Sequence, residues 1–228
     1  MSGDVGAAVS DVRARIDAAA RRAGRDARSI TLVAATKTVP VDAIRAALDA
    51  GVADLGENRA QELLAKAPEI AASGRGDAPR WHFLGQLQRN KVRALAPWVQ
   101  CWHSVDRAAL GPAIARHSPG ARVLVEVDLA NEPRKGGCPA AGAAALVGAL
   151  RGDGLAVQGL MTMPPHGDDP RPWFAQLRHL AAELGLPELS MGMTDDFEIA
   201  IEEGATIVRI GRALFGERPV RQVGGARR

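Results

Sequence analysis

From Ser29 onward the chain alternates short apolar, β-branched runs with longer runs whose apolar residues recur every three or four positions. This alternation narrows the choice of folds more than any other feature of the sequence. Strands buried on both faces need cover on both sides, and a helix between successive strands is the connection a parallel sheet requires. The strand runs are Ile30–Lys37, Asp54–Asn58, Trp81–Gly85, Cys101–Val105, Ala121–Leu129, Ala156–Met163, Leu186–Met191 and Ile207–Gly211. Helical patterns fall near Val41–Ala50, Arg59–Ala71, Gln88–Leu95, Arg107–His117, Ala140–Arg151, Pro172–Leu184 and Asp195–Glu203. Eight strands, each followed by a helix or its first turn, give the count of a (β/α)8 TIM barrel. An open doubly wound sheet is the alternative that alternation alone leaves standing. Ahead of the first strand, Val5, Val9, Val12, Ile16 and Ala20 draw one apolar stripe on an additional helix. No linker or repeat divides the chain, so a single domain over residues 1–217 is expected, followed by a basic, disordered tail at 218–228.

Composition removes several function classes. The formal net charge is +3, yet four arginines and no acid lie in the last eleven residues, and without them the rest is slightly acidic. A basic face for nucleic acid is therefore not expected. The longest apolar run, Gly136 to Leu150, is too short to span a bilayer, and Asp4, Asp11 and Arg13 interrupt any leader-like segment. Two cysteines, Cys101 and Cys138, make no disulfide framework, and a reducing cytoplasm is the expected setting. The histidines share no ligand spacing, so no metal site is expected.

In such barrels the working residues sit at the C-terminal ends of strands. Lysine occurs only at positions 37, 66, 91 and 135. Lys37 closes the otherwise near-apolar run of the first strand. Loss of hydration there lowers an amine's pKa, and a neutral amine attacks carbonyls; the plainer reading is a lysine whose head reaches solvent above the rim. Ser190-Met191-Gly192-Met193-Thr194 and Arg209-Ile210-Gly211-Arg212 end the seventh and eighth strands, where barrels frequently bind phosphate. Thr194 is the expected cap of the following helix, with Asp195 and Asp196 in its first turn. A phosphate site near a desolvated lysine suits a ligand carrying both an aldehyde and a phosphate, and pyridoxal 5'-phosphate is one.

The segments Ala35-Thr36-Lys37-Thr38, Gly56-Glu57-Asn58-Arg59-Ala60-Gln61-Glu62 and the stretch Trp81 to Lys91 resemble the pyridoxal-phosphate homeostasis protein family. So do Leu189 to Asp196 and Val208 to Gly216, and the segments appear in family order over nearly the whole chain. The resemblance implies the alanine-racemase-like barrel of fold-type III pyridoxal-phosphate proteins. It implies that Lys37 forms the aldimine, that Arg209 faces the pyridine nitrogen, and that Ser190, Met191 and Gly211 hold the phosphate. Asn58 and His82 would line the pocket near the ring. Arg212 stands where relatives usually carry a small hydroxyl residue, leaving its phosphate contact open. Asp128 stands where an asparagine is more usual and has no assigned role, and Cys138 is read as a neutral loop residue.

Racemases of this fold pair the lysine with a tyrosine and a second domain, and this chain has no tyrosine. An arginine at the ring nitrogen also weakens the electron sink, because a guanidinium does not give up its proton. The resemblance therefore implies a carrier that limits free pyridoxal phosphate and serves apo-enzymes as partners. The alternatives are a weak amino-acid enzyme, such as a slow racemase, and a barrel binding another phosphorylated metabolite.

Overall fold

The computed structural model describes residues 4–72, 78–132 and 135–217; the basic tail lies outside the described residues. The strands are β1 (Thr31–Ala35), β2 (Asp54–Glu57), β3 (Arg80–Phe83), β4 (Val99–Val105), β5 (Arg122–Asp128), β6 (Ala156–Met161), β7 (Glu188–Ser190) and β8 (Ile207–Ile210). Every pairing among them is parallel. Because β4 pairs with β5 and β8 returns to β1, the sheet has no open end. Closure decides against the open sheet. A two-residue segment, Cys138–Pro139, adds a short parallel bridge beside Val127 and Asp128 at the end of β5.

Side chains of one parity fill the lumen. Its apolar part is Val33, Leu84, Cys101, Leu124, Met161 and Ile207, with Ala35 and Met163 above. The other parity (Ala34, Leu55, Val123, Val125 and Val208 among others) packs outward on the helices. Two-sided burial explains why the strands read as near-continuous apolar runs.

The helices are α1 (Val5–Arg22), α2 (Val41–Asp49), α3 (Ala60–Ala71), α4 (Val92–Leu95), α5 (Gly111–His117), α6 (Ala143–Gly152), α7 (Arg171–Glu183), α8 (Phe197–Glu202) and α9 (Arg212–Phe215). The expected stripe of α1 is buried, with Ala19 added to it, and Asp4 caps the helix by accepting from the N–H groups of Gly6 and Ala7. That face packs on α8, α9 and α2. Arg15–Glu198 and Arg22–Glu202 pairs tie α1 to α8; such exposed pairs are each worth less than about 1 kcal/mol, so apolar burial holds α1 in place.

Three expected helices open with a 3-10 turn, at Arg89–Lys91, Ala108–Leu110 and Ala140–Gly142. The helix expected from Asp195 starts at Phe197 instead. Asp196 turns back to accept the Met193 N–H at 2.6 Å, and Thr194 accepts the Ala213 N–H at 3.3 Å. Thr194 thus ties the β7 loop to α9 rather than capping α8. Among the described residues no helix is long and apolar enough to cross a membrane.

Candidate functional site

The parallel ring brings the C-terminal ends of all strands to one face, the mouth. Pairing of β1 with β8 sets Val33 beside Arg209 and Ala34 beside Ile210. The loops carrying Lys37 and Gly211 are therefore neighbours. A Cβ on Gly211 would stand 3.2 Å from the Ala35 carbonyl oxygen.

Lys37 is half-buried in the turn after β1. Among the described residues no hydrogen bond or ion pair engages its Nζ, whereas Lys66 and Lys135 are both ion-paired. The residues on either side of Lys37 are clamped. Thr36 is fully buried, and its carbonyl accepts from Lys66 Nζ at 2.8 Å. Lys66 also donates to Glu57 at 2.5 Å and to Glu62 at 2.8 Å. Glu62 in turn accepts the Thr38 N–H at 2.7 Å. That bond holds Thr38 at φ 64, a left-handed conformation that costs a threonine energy. Burial pushes the Glu57 carboxyl up from its ordinary range against the pull of Lys66. At Glu62 burial acts the same way, but Lys66 and the Thr38 N–H outweigh it and the pKa falls. Sequence reading did not single out Lys66; the scarcity of lysine was the available signal.

The β7 and β8 ends form the opposite flank. Gly192 has φ +92, and a Cβ there would lie 2.6 Å from the Ala200 Cβ, so the loop hugs α8 as only glycine allows. Two expected phosphate contacts are otherwise engaged. The Met191 N–H donates to the Ile207 carbonyl at 3.1 Å, and the Ser190 hydroxyl lies in the lumen between Arg209 and His103. What the flank offers an anion is the main chain around Gly192 and at Gly211 and Arg212, ahead of the Ala213 N–H that Thr194 already takes. The exposed Arg212 guanidinium pairs with Asp195.

Arg209 is 5% exposed and donates to the Ser190 carbonyl at 2.7 Å, the Ser190 Oγ at 2.6 Å and the Thr162 carbonyl at 3.0 Å. Burial lowers its pKa to about 10, with Glu126 and Asp196 opposing. It is still a full cation at neutral pH.

His82 is buried in the lumen with both ring nitrogens engaged. Its Nε2 meets Asp54 at 3.0 Å and its Nδ1 meets His103 Nε2 at 2.7 Å, and His103 links it to Ser190. Burial alone would raise the Asp54 carboxyl, but bonds from His82 and Arg80 outweigh it and hold the pKa at about 2. Donor atoms of His82, Cys101 and His103 lie within 4.8 Å of one another, but all four imidazole nitrogens already have partners and burial pushes the Cys101 thiol to about 12.

Asn58, half-buried after β2, borders a cavity of about 160 Å³ on the mouth rim together with Arg59, Gln61, Gln86 and Lys91. Gly85 lets β3 approach this loop, since a Cβ there would stand 1.9 Å from the Asn58 carbonyl. Two carboxylates complete the mouth from β5. Burial, then the nearby Asp106 charge, pushes Glu126 up to about 7 against Arg209 and Lys135. Asp128 is buried with an Oδ1 that has no hydrogen-bond partner among the described residues. Burial also pushes the Cys138 thiol up to about 11, in keeping with an unreactive loop residue.

The model of the alanine racemase N-terminal domain family matches residues 9–219 of this chain. The chain is 43% identical over 224 residues to the pyridoxal phosphate homeostasis protein of Aquifex aeolicus, spanning 92% of this chain and 96% of that one. It is 42% identical over 221 residues to the protein of the same name from Pseudomonas aeruginosa, spanning 92% and 94%. The solved structure of PipY from Synechococcus elongatus PCC7942 with PLP bound superposes with a TM-score of 0.77 at 34% identity, covering 89% of this chain and 100% of that one.

Proposed function

Since the chain belongs to the pyridoxal phosphate homeostasis protein family, we propose that it binds pyridoxal 5'-phosphate (PLP) at the barrel mouth and serves PLP homeostasis as a carrier. The observation that carries this reading is the pairing of β8 with β1 on one side and β7 on the other, which brings the Gly211 and Gly192 loops to the side of the ring where a half-buried lysine has no polar partner among the described residues. The residues fit the ligand: a glycine-lined main-chain cradle suits a phosphate, and the Arg209 guanidinium suits a heteroaromatic nitrogen.

When bound, PLP supplies an aldehyde that condenses reversibly with amines. In this reading Lys37 is the amine that captures it, held at the mouth by the Lys66–Glu57–Glu62 clamp on Thr36 and Thr38. Gly192, Gly211 and Arg212 would seat the phosphate through main-chain N–H groups. Ser190 and Met191 would support that cradle from below. Arg209 would donate to the ring nitrogen and keep it unprotonated, and Asn58 would border the ring from the β2 side. His82 would act on this wall only through His103 and Ser190. Seating by phosphate contacts combined with an exchangeable bond lets the protein withhold the aldehyde and hand it to apo-enzymes in the cytoplasm.

Borohydride reduction of the loaded protein, followed by peptide mass mapping, should place the pyridoxyl group on Lys37, and Lys37→Ala should lose the visible absorbance while keeping its circular dichroism. A label on another lysine would overturn the assignment. Incubating the loaded protein with L- and D-amino acids separates carrier from enzyme, since sustained turnover is incompatible with a carrier.

A further inference from the structure

Arg209, Ser190, His103, His82 and Asp54 form one hydrogen-bonded chain through the lumen, from the mouth toward the opposite face where Asp54 meets Arg80 at 2.7 Å. Its proton arrangement follows from its ends. A guanidinium only donates, so Ser190 Oγ accepts from Arg209. An ionised carboxylate only accepts, so His82 Nε2 carries hydrogen toward Asp54. With one hydrogen per ring, His82 Nδ1 is bare and accepts from His103 Nε2–H. His103 Nδ1 is then bare as well and accepts the Ser190 O–H. Burial, reinforced by the Arg209 and Arg122 charges, pushes the His103 pKa well below its ordinary value, which keeps that ring singly protonated. The groups around the pair are Asp54 on β2, Arg80 on β3, Cys101 on β4, Arg122 and Glu126 on β5, Glu188 on β7 and Arg209 on β8. Arg122 is already paired with Glu188.

All the hydrogen bonds recorded for Arg209 among the described residues end on neutral oxygens. Its hydrogen-bonded route to a carboxylate is the four-step run to Asp54.

We propose that His82 and His103 are positioning residues for the mouth. They commit the Ser190 hydroxyl hydrogen inward, so that Ser190 Oγ fixes the Arg209 guanidinium, and Asp54 anchors the far end of the run. This inference rests on the PLP reading only for what Arg209 faces; the direction of the chain stands apart from it.

The test uses the full-length protein labelled with ¹⁵N-histidine. Long-range ¹H–¹⁵N spectra should show His82 and His103 both protonated at Nε2 and bare at Nδ1; a hydrogen on His103 Nδ1 overturns the proposal. The second measurement is PLP titration of Asp54→Asn beside Arg80→Gln, which removes the outer partner of Asp54 and leaves the chain whole. Asp54→Asn should weaken PLP binding about tenfold and shift the visible absorbance, while Arg80→Gln binds as wild type. Equal behaviour of the two variants contradicts the proposal. If Asp54→Asn fails to fold, the histidine spectra of the unmodified protein still decide. Failure of wild type to take up PLP at all would sink the functional reading and leave the tautomer result in force.

Discussion

Individual side chains in the mouth carry charge where an apolar barrel would ordinarily exclude it, and two of them make distinct predictions. Glu126 titrates near 7 in the folded chain against an ordinary value of 4.5. Between those values the folded protein retains a proton that the unfolded chain has released, so raising the pH through this window removes stability, and above about 7 the loss is complete. Glu126→Gln should therefore flatten the pH dependence of urea unfolding between pH 5 and 7 and stabilise the protein at pH 8, by at most about 3 kcal/mol. An unchanged profile would mean that Glu126 is better solvated than its burial implies. Lys66 is the reverse case, a buried cation whose removal strands two carboxylates. Lys66→Met should cost about 3–5 kcal/mol and lower the rate at which Lys37 captures PLP, because the Thr36 carbonyl loses its donor and Glu62, the acceptor that holds the left-handed backbone at Thr38, loses the ammonium that fixes it. Thermal melts and stopped-flow absorbance would check the two effects separately.

At the level of elements, the site is a product of strand order. β7, β8, β1 and β2 are consecutive around the ring, and their four loops carry Gly192, Gly211, Lys37 and Asn58. The β7 loop leans on α8 because Gly192 has no side chain and adopts φ +92. Gly192→Ala meets the Ala200 Cβ and the Phe197 Cα at once, and should cost about 2 kcal/mol or more in denaturant unfolding while weakening inorganic phosphate binding in calorimetry. A fully stable alanine variant with unchanged phosphate affinity would show that the loop does not need this conformation. The short start of α8 has the same origin. The carboxylate that sequence alone assigns to its first turn, Asp196, is spent on the Met193 N–H.

Taken whole, the molecule is a closed barrel with both thiols buried, Cys101 in the lumen and raised to about 12, Cys138 beside the end of β5 and raised to about 11. Iodoacetamide at pH 8 should label neither at an appreciable rate in the native state and both once the barrel opens in urea, so labelling would report unfolding; rapid native labelling of Cys138 would mean the bridge beside β5 opens locally. The alternation of runs was enough to determine a β/α architecture, the apolar stripe of α1, and the strand ends at which Lys37, Ser190 and Arg209 stand, because periodicity encodes which face of an element is buried. Periodicity cannot encode which strands face one another across a lumen. His82 and Asp54 are 28 residues apart, and His103 and Ser190 are 87 apart. Lys66 carries no signal in the sequence beyond the scarcity of lysine, yet it lies under the Lys37 turn. Only closure of the ring, with its register between β8 and β1, brought these groups within hydrogen-bonding distance. The clamp, the histidine chain and the poised Glu126 therefore belong to the tertiary structure, since each depends on a partner whose distance is set by packing and not by the chain between them.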